Sequence, residues 1–189
     1  MSHIDSRVRY TRMVIEECFL KLLEEKPVSK ITVTELCRMA EINRATFYKH
    51  YLDIPDLMEK METRIFEGIH SLFYECDDLY KTFLQMVRYV RKDIRKYAVL
   101  GSENGDREFY SKVCGSFFDS AFPLTRSDNP ELREIQHEFL HAYITFGTTG
   151  IMQTWIKNGM VQPPEEVARL ITSLCYTVSD GVKQGKILL

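Results

Sequence analysis

Apolar residues recur along this 189-residue chain at helical spacing, and no segment alternates for long with a period of two. Between Ser6 and Glu25 they fall at Val14, Ile15, Cys18, Phe19, Leu22 and Leu23, the i, i+1, i+4, i+5 stripe of an amphipathic helix. Pro27 closes that helix, because the residue before a proline avoids the helical region. Thr32-Val33-Thr34-Glu35 reads as a capping box that opens a short helix through Leu36, Cys37 and Ala40. After Glu41 and Ile42, Asn43 is a good N-cap for another short helix, Arg44 to His50. Asp53-Ile54-Pro55-Asp56 then starts a longer one, with Leu57, Met58, Met61, Ile65 and Ile69 on one stripe to about Cys76.

Beyond Asp77 the pattern stays helical. It predicts segments over Asp78–Val90 and Lys92–Leu100, a break at Gly101–Asp106, and a helix capped by Asp106 and running through Phe118. A loop at Phe122–Asp128 precedes Asn129-Pro130, a cap followed by a proline in the first turn of a long helix that stops at Asn158-Gly159. Pro163-Pro164 opens the last helix, which ends near Gly181. The fold class is therefore all-α.

Composition narrows the chemistry. Lys and Arg total 25 against 27 Asp and Glu, so the chain is not polybasic and nucleic-acid contact has to come from a local patch. Such a bias exists: residues 1–52 hold nine Lys/Arg against seven Asp/Glu, the remainder sixteen against twenty. No apolar run reaches the roughly 18 residues of a membrane span, and the polar N-terminus has no signal-peptide core. Five cysteines with no Cys-x-x-Cys argue against a disulfide framework or zinc finger, and the cytoplasm is the expected compartment. No P-loop, dinucleotide fingerprint or nucleophile elbow occurs, so neither a cofactor nor an enzymatic role is expected.

The two short helices around Glu41–Asn43 have helix-turn-helix proportions, and the second is sized for a major groove. Leu36, Ala40, Ile42, Phe47 and Tyr51 are the inward positions. Outward stand Asn43, Arg44, Ala45, Thr46, Tyr48, Lys49 and His50. Ala45 and Thr46 leave room for base edges or a thymine methyl, and Tyr48, Lys49 and His50 donate to phosphates. Thr34, with Thr32, adds the amides of a helix N-terminus, and Arg7, Arg9 and Arg12 lie within reach of a flanking phosphate. The alternative is an ordinary solvated bundle surface.

The run from Ile31 to Leu36, then Ala40 to Tyr51, then Asp56-Leu57 resembles the DNA-binding signature of TetR-type transcriptional regulators, over about residues 8 to 65. The resemblance implies an all-helical homodimer. An N-terminal three-helix domain with a helix-turn-helix, residues 6–52, would bind a double-stranded operator. A helical ligand-binding and dimerisation domain, residues 53–189, would follow it. It implies contacts from Thr34, Arg44, Ala45, Thr46, Tyr48, Lys49 and His50, and repression relieved by a small-molecule effector. The alternatives are an activator or co-regulator working through a protein partner, or a helical ligand-binding protein that does not use its DNA face. One departure is Glu41, where the family turn often has glycine; a positive φ there costs up to about 1 kcal/mol.

Gly147 to Gly159 and Ser102-Glu103-Asn104-Gly105-Asp106 are similar to the subgroup that regulates dihydroxyacetone kinase operons. Gly147 and Gly150 permit close approach of a dimer partner or of an internal neighbour, and the last two helices are the expected dimer interface. Phe73, Tyr89, Tyr97, Phe109, Phe117, Phe118, Phe139, Tyr143 and Trp155 are either core or the lining of an effector cavity, core being the default for each. His137-Glu138-Phe139-Leu140-His141 matches the H-E-x-x-H pattern of zinc hydrolases, but no third ligand follows at a recognisable spacing. A metal hydrolase or metal sensor is the remote alternative, and a solvated or interface histidine pair is the expectation.

Overall fold

The structure, a computed structural model, describes residues 3–73, 78–115 and 130–184. The loop expected at Phe122–Asp128, the Asn129 cap, Cys76, Phe117 and Phe118 lie outside them. Every regular element among the described residues is helical. They are α1 (His3–Glu25), a 3-10 turn (Val28–Lys30), α2 (Val33–Met39), α3 (Arg44–Tyr48), α4 (Ile54–Phe73), α5 (Leu79–Lys92), α6 (Ile94–Leu100), α7 (Phe109–Gly115), α8 (Pro130–Lys157) and α9 (Pro164–Lys183). No described helix is long and apolar enough to cross a membrane.

The chain forms two compact units, Met1–Ile65 with Arg95–Phe109, and Phe66–Ile94 with Tyr110–Leu189. The first thus holds more than residues 6–52: it adds the first half of α4, α6 and the loop after it. Its core contains Ile15, Phe19, Leu22 and Leu23 of α1 with Leu36, Phe47, Leu57 and Met61, each at most 1% exposed. Tyr97 and Phe109 are buried there too, with ring centroids 6.0 Å apart. These two aromatics are core, not cavity lining.

Local chemistry sets the helix ends. The Thr32 hydroxyl accepts from the Glu35 amide at 3.2 Å. The Glu35 carboxylate answers chiefly to Lys26 Nζ, at 2.6 and 2.7 Å, which holds it below the usual carboxylate range, the Thr32 amide contributing least. At the start of α4, Asp53 Oδ1 accepts from the Asp56 amide and Asp56 Oδ2 from the Leu52 amide, both at 2.8 Å. α2 ends in a Schellman motif: the Ile42 amide donates to Cys37 O at 3.0 Å and the Glu41 amide to Arg38 O at 3.4 Å. Glu41 therefore sits at the left-handed position, φ 52°, where glycine is usual. The turn keeps its geometry and a glutamate carries the strain.

In the second unit, α5 buries Phe83, Met86, Val87 and Val90 and packs on α9, which also packs on α8. Gly159 (φ 77°) and Met160 (φ 55°) end α8 through the same kind of motif, the Met160 amide donating to Trp155 O at 2.9 Å. Trp155 is buried, its indole N–H donating to Gln162 O at 3.0 Å. Cys114 is a buried free thiol, pushed up to about 11 by burial, as befits packing and not reactivity.

Candidate nucleic-acid interface

α3 is fixed from beneath. Phe47 is fully buried and Tyr51 is 2% exposed, with Leu36 and Ala40 also buried. Ile42, expected inward, is half-buried. The Phe47 and Tyr51 rings lie 5.7 Å apart, and Tyr48 meets Phe47 edge-on at 5.5 Å. The Tyr51 hydroxyl donates to Glu16 Oε1 of α1 at 2.8 Å, and Arg64 of α4 donates to the same oxygen. Burial, and next the Glu16 carboxylate, push the Tyr51 hydroxyl well above its usual range. Both flanking helices thereby grip the residue three past the end of α3.

The other side of α3 is open. Asn43, Arg44, Ala45, Tyr48 and Lys49 are exposed, as is Thr34 on α2. Tyr48, a large aromatic, keeps 49% of its surface in solvent. Thr46 and His50 are half-buried. Asn43 caps the helix: its Oδ1 accepts from the Thr46 amide at 2.7 Å and the Thr46 hydroxyl at 2.9 Å. The Thr46 hydroxyl proton is thus already committed, while the Asn43 amide group is not used by the cap. The regular helix stops at Tyr48, two residues earlier than the sequence pattern predicts. Lys49 and His50 lie in a tightened final turn, with the His50 amide donating to Phe47 O at 2.9 Å.

The flank is cationic. Arg44 and Lys49 are exposed, and Arg12 of α1 stands near enough to His50 to act on its titration. Burial first, then Arg12 and Lys49, hold His50 below the usual imidazole range. Lys60 is a cation that the motif reading missed. Its Nζ lies 5.7 Å from the Tyr51 ring centroid, 3.3 Å from His50 O and 2.9 Å from Asp56 Oδ2. The Asp56/Lys60 i, i+4 spacing was the signal for it.

The second unit shows a different surface. Phe139, Tyr143 and Phe146 of α8 and Leu170, Leu174 and Tyr176 of α9 are all exposed, each by 44% or more. A Cβ added at Gly147 or Gly150 would meet nothing within 4 Å among the described residues, so no described neighbour within the chain explains these glycines. They border an open cleft of about 660 Å³ between α8 and α9, with Trp155, Glu166 and Leu170. His137 and His141 are half-buried on α8, and His141 Nε2 packs by Gly115 of α7. No group of three His, Cys, Asp or Glu residues among those described is placed to hold a metal.

Residues 77–176 match the family model TetR_C_8, the transcriptional regulator C-terminal region. An HTH-type transcriptional regulator of Bacillus subtilis, YxbF, is 40% identical over 62 residues, which are 32% of this chain but only 16% of that protein. Among solved structures, a TetR transcriptional regulator from Streptococcus agalactiae is 21% identical, covers 90% of this chain and 96% of its own, and has a TM-score of 0.65. The dihydroxyacetone kinase operon activator DhaS (18% identical, TM-score 0.58) and NalD of Pseudomonas aeruginosa, the secondary repressor of a multidrug efflux pump (19%, 0.59), cover the same shares. At these identities the solved structures establish the fold.

Proposed function

The chain belongs to the TetR-type family of transcriptional regulators, which are not enzymes, and on that premise we propose that it is a cytoplasmic repressor that binds its operator as a homodimer. The observation that carries the reading is the open face of α3, presented on a rod fixed by Phe47 and Tyr51. Arg44, Ala45 and the Asn43 amide group face base edges, and Thr46 offers its methyl. Tyr48, Lys49 and His50 engage phosphates, with Thr34 at the start of α2 as a further donor.

A single copy with so short a reading helix commands little sequence, so twofold pairing belongs to the proposal. Two copies present two α3 helices to half-sites about 34–36 Å apart. The exposed Phe139, Tyr143 and Phe146, one helical turn after another, with Leu170 and Leu174, support α8 and α9 as the shared face. A protein seated in two successive major grooves blocks access to a promoter, and an effector that changes the spacing of the pair relieves the block.

A mobility shift against the DNA upstream of its own gene tests the assignment. The wild type shifts the fragment. Tyr48→Ala with Lys49→Ala abolishes the shift while helical content stays unchanged, since both side chains are exposed. Normal binding by that double variant refutes the assignment of the face.

A further inference from the structure

The motif Ser102–Asp106 and the residue Arg95 have no part in any DNA contact, yet both lie in the first unit. Arg95 reaches back to α1 with three bonds: Nη1 to Glu17 Oε1 at 2.6 Å, Nε to Glu24 Oε1 at 2.7 Å and Nη2 to Glu24 Oε2 at 3.1 Å. Asn104 takes the end of the same helix. Its Nδ2 donates to Leu23 O at 3.0 Å, and its own carbonyl accepts from the Val28 amide at 2.9 Å. Ser102 Oγ braces the Asn104 amide at 3.3 Å. Gly105 has to be glycine, because a Cβ there would lie 2.1 Å from Leu100 O. The loop is shaped so that one asparagine plugs the α1 terminus and the turn into α2.

α1 is also the strut of the reading helix. Glu16, which grips Tyr51, is followed directly by Glu17, which Arg95 holds. The rotation of α1 about its axis therefore sets both contacts together. We propose that Arg95 and Asn104 are positioning residues for operator binding: they clamp α1 so that Glu16 keeps the α3 terminus in its DNA-competent place. The proposal rests on the DNA-binding reading of α3. The Arg95 pairs are 40–46% exposed, so they add little to folding stability, and a large loss of binding on their removal is not explained by unfolding.

The test uses the full chain carrying Arg95→Met with Asn104→Ala, and each change singly, at a temperature where helical content equals that of the wild type. Hydrogen exchange without DNA comes first. The clamp predicts faster exchange at residues 20–31 and also at 44–51, which the variants do not touch. Affinity for the upstream DNA then falls at least tenfold, and Arg95→Lys, which keeps one ion pair, restores part of it. Should the double variant melt, the single Arg95→Met carries the same readouts. Unchanged exchange at 44–51, or wild-type DNA affinity despite a loosened 20–31, overturns the proposal. If the wild type itself binds no DNA, the operator reading fails, and the exchange pattern alone decides the clamp.

Discussion

Glu41 shows how much one dihedral decides. The sequence reveals a non-glycine in the turn, but only the observed φ of 52° turns that into strain. Net of the flexibility that glycine adds to the unfolded chain, a left-handed non-glycine residue costs up to about 1 kcal/mol relative to glycine. Glu41→Gly therefore stabilises by roughly 0.5 kcal/mol, read as a raised midpoint in chemical denaturation with unchanged slope. His50 supplies a pH signature. Its imidazole is held below about 6.5 by burial, Arg12 and Lys49. The unfolded chain then takes up a proton first as pH falls, so His50 contributes stability above about pH 6.5 that is lost on acidification below it. Bound phosphate reverses that preference, because it favours the imidazolium. Operator affinity accordingly rises from pH 7.5 to 6 in the wild type, measured by anisotropy, and that rise disappears in His50→Gln.

At the scale of elements, stability and recognition separate across α3. Phe47→Ala removes a fully buried ring and costs about 3–5 kcal/mol, seen in denaturant unfolding, whereas Tyr48→Ala one residue on stays within about 0.5 kcal/mol. Tyr51→Phe loses the bond to Glu16 and costs about 1 kcal/mol. Caps and breakers made most of this legible beforehand: Thr32, Asn43, Pro55 and Gly159 all act where the pattern puts them. The end of α3 was not legible, because a tightened last turn depends on how Tyr51 is pulled toward Glu16, 35 residues earlier. The clamp was invisible for the same reason, Arg95 and Glu17 being 78 residues apart. α8 was ambiguous because it is apolar on more than one side. Leu140 and Ile144 are buried, while Phe139, Tyr143 and Phe146 face solvent.

For the whole molecule, the proposed assembly makes those exposed aromatics essential to binding without touching the core. Tyr143→Glu with Phe146→Glu yields a folded monomer by sedimentation and a large loss of operator affinity, since one copy no longer holds the other on adjacent grooves. The most direct test of the central claim is the salt dependence of binding to the upstream DNA. Lys49, exposed on each of two copies, neutralises about two phosphates, which predicts a log K against log salt slope of about −1.8 or steeper. Lys49→Ala should make that slope shallower by about 1.8. A slope that Lys49→Ala leaves unchanged contradicts the account, as does an affinity indifferent to salt.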